Sequence, residues 1–133
     1  MELIKITPDG EKAKSMLRMV SLIEERILSQ KDKTKMTSLI IADYYEIIKE
    51  LITAILLIDG YKTLSHKDLV DYLKEKCPEF SAYEISFLDD LRVLRNRIAY
   101  EGFFIEPSYL VRNESQLKDI INKLKVILDK NIL

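Results

Sequence analysis

Residues 36–60 read MTSLIIADYYEIIKELITAILLIDG. Leu39, Ile40, Ala42, Ile47, Ile48, Leu51, Ile52, Ala54, Ile55, Leu56, Leu57 and Ile58 cover most of a helical circumference instead of one stripe. A helix apolar on most sides needs cover on most sides, from other helices or from a second subunit. The pattern predicts a helix over about Met36 to Asp59, stopped by Gly60. Its longest apolar piece, residues 51–58 (LITAILLI), is too short to span a bilayer, and Asp43, Glu46, Lys49 and Glu50 interrupt the run upstream. No membrane association is expected.

Working outward, four more helices can be read. Ala13, Met16, Leu17, Val20, Ile23 and Ile27 recur at three- and four-residue steps, which predicts a helix from about Glu11 to Gln30. Ser65 is a good N-cap for a short helix over His66 to Lys76, ended by Pro78. Ser81 and Glu84 form a capping box for a helix that runs to about Tyr100 and stops at Gly102. A fifth helix is expected after Asn113, with Gln116 at the capping-box position and a stripe of Leu117, Ile120, Ile121, Leu124, Ile127 and Leu128. The connection GFFIEPSYLVRN between the last two is apolar enough to pack back on the bundle.

The composition agrees. Three glycines and three prolines in 133 residues leave little room for the turns of an all-β fold, while Leu, Ile, Lys and Glu abound. The length suits one domain over residues 1–133, and the short connections suit an up-and-down bundle of about five helices. The expected class is all-α. A net charge of -1 argues against a general nucleic-acid-coating protein but leaves room for a local basic patch. The lone cysteine, Cys77, has no partner for an internal disulfide, which favours a reducing, cytoplasmic setting and an inert thiol. MELIKITPDGEKAK lacks the apolar region of a secretory signal.

The candidate site lies in residues 91–102, LRVLRNRIAYEG. On a helix Arg92, Arg95, Asn96 and Tyr100 share one side with Asp89, whereas Phe87, Leu91, Leu94 and Ile98 fall on the opposite side and should face the core. Arg97 lies off the polar side and reads as plain surface. Two cations, an amide and a phenol on one face can receive an anion. They can equally form an ordinary solvated face, with Asp89 pairing to Arg92 three residues on.

The order LRNRIAYEG, late in the fourth helix of five, resembles the HEPN (higher eukaryotes and prokaryotes nucleotide-binding) domain family. That family's signature is Arg, commonly followed by Asn, and then His four to six residues further on. Arg95 and Asn96 match the opening pair, and Tyr100 stands at the four-residue spacing where His is expected. DYYEIIKELITAILLIDGYKTLSH and the run from Arg95 through Tyr109 resemble an archaeal branch with Tyr in the place of His. The resemblance spans about Ser38 to Leu110. It implies a helical bundle, commonly a homodimer whose motif helices face each other across a cleft. It also implies one of several activities: nucleotide or RNA binding, or metal-independent RNA cleavage by toxins paired with a minimal nucleotidyltransferase antitoxin.

The residues sort these activities. Arginine suits phosphate, because its planar fork matches two oxygens at once. Cleavage also needs a base for the 2′-hydroxyl proton, and a phenol with an ordinary pKa of roughly 10 is a poor one at neutral pH. Tyr100 can instead stack on a base or donate to phosphate. The single histidine, His66, sits at a helix start and reads as surface. One His, one Cys and scattered carboxylates make no metal site, and no cofactor motif is present. The expectation is a homodimer that binds a nucleotide or RNA through Arg92, Arg95, Asn96 and Tyr100, partnered by a nucleotidyltransferase in a toxin–antitoxin type module. The alternative is an atypical ribonuclease with Arg95 and Tyr100 as its catalytic pair, or a helical protein whose arginines only pair with carboxylates.

Overall fold

In the computed structural model, which describes residues 1–132, helix α2 (Thr37–Asp59) is the element on which the others assemble. Fourteen of its 23 residues are buried, and α1 (Gly10–Leu28), α3 (His66–Lys76), α4 (Ala82–Glu101) and α5 (Pro107–Ile132) all pack against it. The chain is 75% helical, an all-α domain of five helices. The apolar circumference of α2 is therefore covered within one chain and asks for no second subunit. Leu39 is the exception and points outward.

The helix ends follow the chemistry of their residues. Asp9 caps α1 by accepting from the backbone N–H of Lys12, and Ser65 caps α3 by accepting from that of Asp68. The capping box of α4 is reciprocal: Ser81 Oγ accepts from the N–H of Glu84, whose carboxylate accepts from the N–H of Ser81. Gly60 and Gly102 close α2 and α4 in the left-handed region, at φ 88° and 64°.

Three features depart from the sequence reading. The first is a two-residue antiparallel bridge between β1 (Ile4–Lys5) and β2 (Tyr61–Lys62), which ties the N-terminal segment to the turn after α2. The second is the start of α5, which begins at Pro107 and not after Asn113. Proline suits the first turn of a helix because its missing N–H would have no intrahelical partner there. Asn113 does not cap; its side-chain amide donates to the carbonyl of Tyr109 one turn back. Leu110 and Ile105 are buried, so the connection does pack against the bundle, fastened where Ser38 Oγ accepts from the N–H of Ile105 at 2.8 Å. Phe104 beside it stays exposed.

The core stripe of α4 is shifted as well. Leu88 and Leu91 are buried, while Phe87, Leu94 and Ile98 are only partly covered. This rotation carries the polar side of α4 toward α2 and the start of α3 instead of leaving it outermost.

No helix among the described residues is long and apolar enough to cross a membrane. Cys77 is buried at the end of α3, and burial pushes its thiol up to about 11, far from the reactive thiolate.

Candidate functional site

Tyr45 decides the arrangement. It projects from α2, is almost fully buried, and meets α4 with its ring face. The guanidinium carbon of Arg95 lies 5.9 Å from the Tyr45 ring centre and 6.0 Å from that of Tyr100, so this cation sits between two aromatic rings from two helices. Such spacing is within the reach of cation–π attraction. The one side-chain hydrogen bond of Arg95 goes from Nη1 to Asn96 Oδ1, at 3.3 Å. Among the described residues no carboxylate stands within ion-pairing distance of it. Arginine's charge persists at any working pH, so Arg95 is a partly buried cation left free for an anion.

Arg92 behaves differently. Its side chain is 19% exposed and its Nε donates to Asp89 Oδ1 at 3.1 Å, the i,i+3 pair that the sequence allowed. The four residues expected to form a site thus divide. Arg95 and Asn96 are joined, and Tyr100, a residue 78% exposed, flanks them. Arg92 is close by but already bound to a carboxylate. Arg97 lies apart, stacked 3.9 Å over Phe103 and near Glu101.

Sequence reasoning missed Tyr45 and read His66 as surface, whereas His66 is partly buried. The only hint of Tyr45 was a pair of tyrosines in DYYE on an otherwise aliphatic helix. His66, from the first turn of α3, places its ring 6.0 Å from the Tyr45 ring. Among the described residues its nitrogens have no hydrogen-bond partner. Burial and then the cations Lys49, Arg95 and Arg92 hold its pKa below 6.5, with Glu46 opposing them, so the imidazole is neutral at pH 7. Burial pushes Tyr45 up to about 12 despite the arginines, which keeps this phenol protonated.

None of the five most prominent concavities is lined by Arg92, Arg95, Asn96 or Tyr100. His66 does line a groove, of about 360 Å³, shared by α1, α2, β2 and α3. No group of three His, Cys, Asp or Glu is placed to hold a metal ion among the described residues.

The arrangement offers a fixed cation, two aromatic faces, an amide and a neutral imidazole. It suits a phosphate with an attached base: the guanidinium for the oxygens, Tyr100 as a stacking surface. Compared with protein-family profiles, curated proteins and solved structures, the chain gives no significant match.

Proposed function

We propose that the protein is an HEPN-like homodimer that binds a nucleotide or the phosphate backbone of RNA at Arg95, assisted by Asn96, Tyr100 and Arg92. Its setting is cytoplasmic, beside a minimal nucleotidyltransferase in a toxin–antitoxin type module. One observation carries the binding reading: Arg95 is held between Tyr45 and Tyr100 without a carboxylate of its own. A structural arginine in a helical seam normally gains a carboxylate, as Arg92 does with Asp89 and Arg26 with Asp43. The dimer is supported by apolar side chains left exposed on α4, in the following connection and at the start of α5, Val93, Tyr100, Phe104 and Val111, which a second copy would cover. The nucleotidyltransferase partner rests on the resemblance of RNRIAYEG and DGYKTLSH alone.

The test is a titration of fluorescent single-stranded RNA and of AMP, in EDTA and low salt, with the parent protein and Arg95→Ala. Saturable binding that the substitution abolishes is expected; equal binding by the variant discards the assignment. Sedimentation at low micromolar concentration checks the dimer.

A second reading, metal-independent RNA cleavage, is favoured by His66. A neutral imidazole 6.0 Å from the Tyr45 ring that Arg95 also approaches is the kind of base that Tyr100 does not supply. Cleavage would transfer the 2′-hydroxyl proton to the base, form the 2′-O–P bond and release the 5′-oxygen, leaving a cyclic phosphate.

A further inference from the structure

The groove that His66 lines stands near Tyr45, whose ring is 6.0 Å from that of His66. Its other polar walls are Lys12 from α1, Lys49 from α2, Lys62 from β2, and Thr63 and Ser65 from the turn before α3. Three ammonium groups from three elements face one carboxylate, that of Glu50. Lys49 is already engaged, 2.6 Å from Glu46 and 3.4 Å from Glu50. Lys12 and Lys62 have no ion-pair partner among the described residues, although the chain as a whole is slightly acidic, with a net charge of -1. An excess of positive charge inside one concave surface of a nearly neutral chain is local, and concave walls focus its field.

The groove was not gathered by chance proximity in sequence. The β1–β2 bridge pairs Ile4 with Lys62 and Lys5 with Tyr61, and the N–H of Ile6 donates to the carbonyl of Gly60. These bonds hold the start of α1 against the turn after α2, and so bring Lys12 to Lys62. His66 belongs to both surfaces. It lines the groove, and its ring stands 6.0 Å from the Tyr45 ring that Arg95 also approaches, at 5.9 Å.

We infer that this groove is a second phosphate subsite, in which Lys12 and Lys62 hold a further phosphate of the ligand whose first phosphate lies at Arg95. The inference rests on the binding reading above and extends it: the ligand carries more than one phosphate. Two sources share that chemistry, the next nucleotide of a single strand and the phosphate tail of a nucleoside triphosphate. Lysine suits the role, since a flexible ammonium follows a phosphate as a point charge without demanding a fixed geometry.

The experiment compares the parent, a Lys12→Ala/Lys62→Ala double variant and Arg95→Ala against three fluorescent probes: AMP, ATP and an octameric oligoadenylate. Both lysines are exposed, so their removal leaves the core intact, and circular dichroism verifies the fold. The double variant is expected to bind AMP as the parent does and to lose roughly tenfold or more in affinity for a longer probe. With the octamer, loss of the contact to that further phosphate should also lower the slope of log affinity against log salt by roughly 0.7. Loss with the octamer alone identifies the next nucleotide; loss with ATP identifies the phosphate tail. Glu50→Gln, which removes the opposing charge, should tighten whichever probe is affected. If the double variant binds both longer probes like the parent, with an unchanged salt slope, the subsite is overturned while the Arg95 reading stands. If the parent binds none of the probes, both fall.

Discussion

The guanidinium of Arg95 stands 5.9 Å over the ring of Tyr45, a contact between α4 and α2 that holds a cation partly inside the bundle without a counterion. The ring, not the phenolic oxygen, faces the charge. Tyr45→Phe should therefore keep RNA affinity within about twofold, whereas Tyr45→Leu should weaken it severalfold, as befits a cation–π contact of about 0.5–2 kcal/mol. Leucine also leaves space in a packed seam, so the same variant should be less stable by about 1–3 kcal/mol in a urea titration. Equal affinity in Tyr45→Leu would show that the ring does not position Arg95.

The ribonuclease reading separates Tyr100 from His66. Labelled single-stranded RNA incubated in EDTA should yield cyclic-phosphate ends if the reading holds. Tyr100→Phe keeps the ring and loses the hydroxyl; undiminished cleavage by it would deny Tyr100 a proton-transfer role. His66→Ala should then lower cleavage by about 10²–10⁴-fold, the usual share of a general base. The absence of any cyclic phosphate from the parent protein would end this reading.

The charge of His66 should couple both folding and binding to pH. Tyr45, Glu46 and Lys49 on α2 and Arg92 and Arg95 on α4 surround it, and burial together with the cations holds its pKa below 6.5. Between that lowered value and 6.5 the unfolded chain binds more protons than the folded one, so stability should fall as the pH falls through 6.5 and level off once the folded histidine is protonated too. His66→Gln should flatten this segment of a pH–stability profile. An anion at Arg95 offsets the repulsion, so RNA affinity should rise over the same descent in pH. A profile identical in parent and variant would remove His66 from the site's electrostatics.

Gly60 and Gly102 test local geometry against local contact. Both lie at positive φ, which costs an alanine roughly 1–2 kcal/mol. A Cβ on Gly60 would also come 3.1 Å from the carbonyl oxygen of Ile6 and 3.2 Å from the ring of Pro8, whereas one on Gly102 meets nothing within 4 Å. Gly60→Ala should thus be the more destabilising in thermal melts, and it should loosen the groove of Lys12 and Lys62. Equal melting temperatures would contradict the close approach of the N-terminal segment.

Ser38 holds the α4–α5 connection by accepting from the buried N–H of Ile105. Ser38→Ala leaves that donor without a partner and should cost about 1–3 kcal/mol. Ser38→Thr, which keeps the hydroxyl, should retain more of the stability. Because Ile105 is near the end of the motif helix, protease cleavage between residues 102 and 106 should report the loosening first. Resistance equal to the parent's would mean that the apolar contacts of Ile105 suffice.

The all-α class, the five helices and most of their ends were legible in the residues alone. Helix formation and capping depend on neighbours three or four positions away, so Ser81 with Glu84, or Gly60 after a saturated apolar run, declare themselves locally. The true start of α5 did not, because Pro107 and Asn113 are each compatible with two roles until packing of Leu110 selects one. The site was half legible: Arg95, Asn96 and Tyr100 share a helix face by periodicity. Which cation is free, and what surrounds it, was decided by tertiary structure. Asp89 takes Arg92, α2 brings Tyr45 beneath Arg95, α3 delivers His66, and the β1–β2 bridge helps bring Lys12 and Lys62 to one groove. Electrostatic environment depends on distance in space, and no periodicity in the chain encodes contacts between residues tens of positions apart.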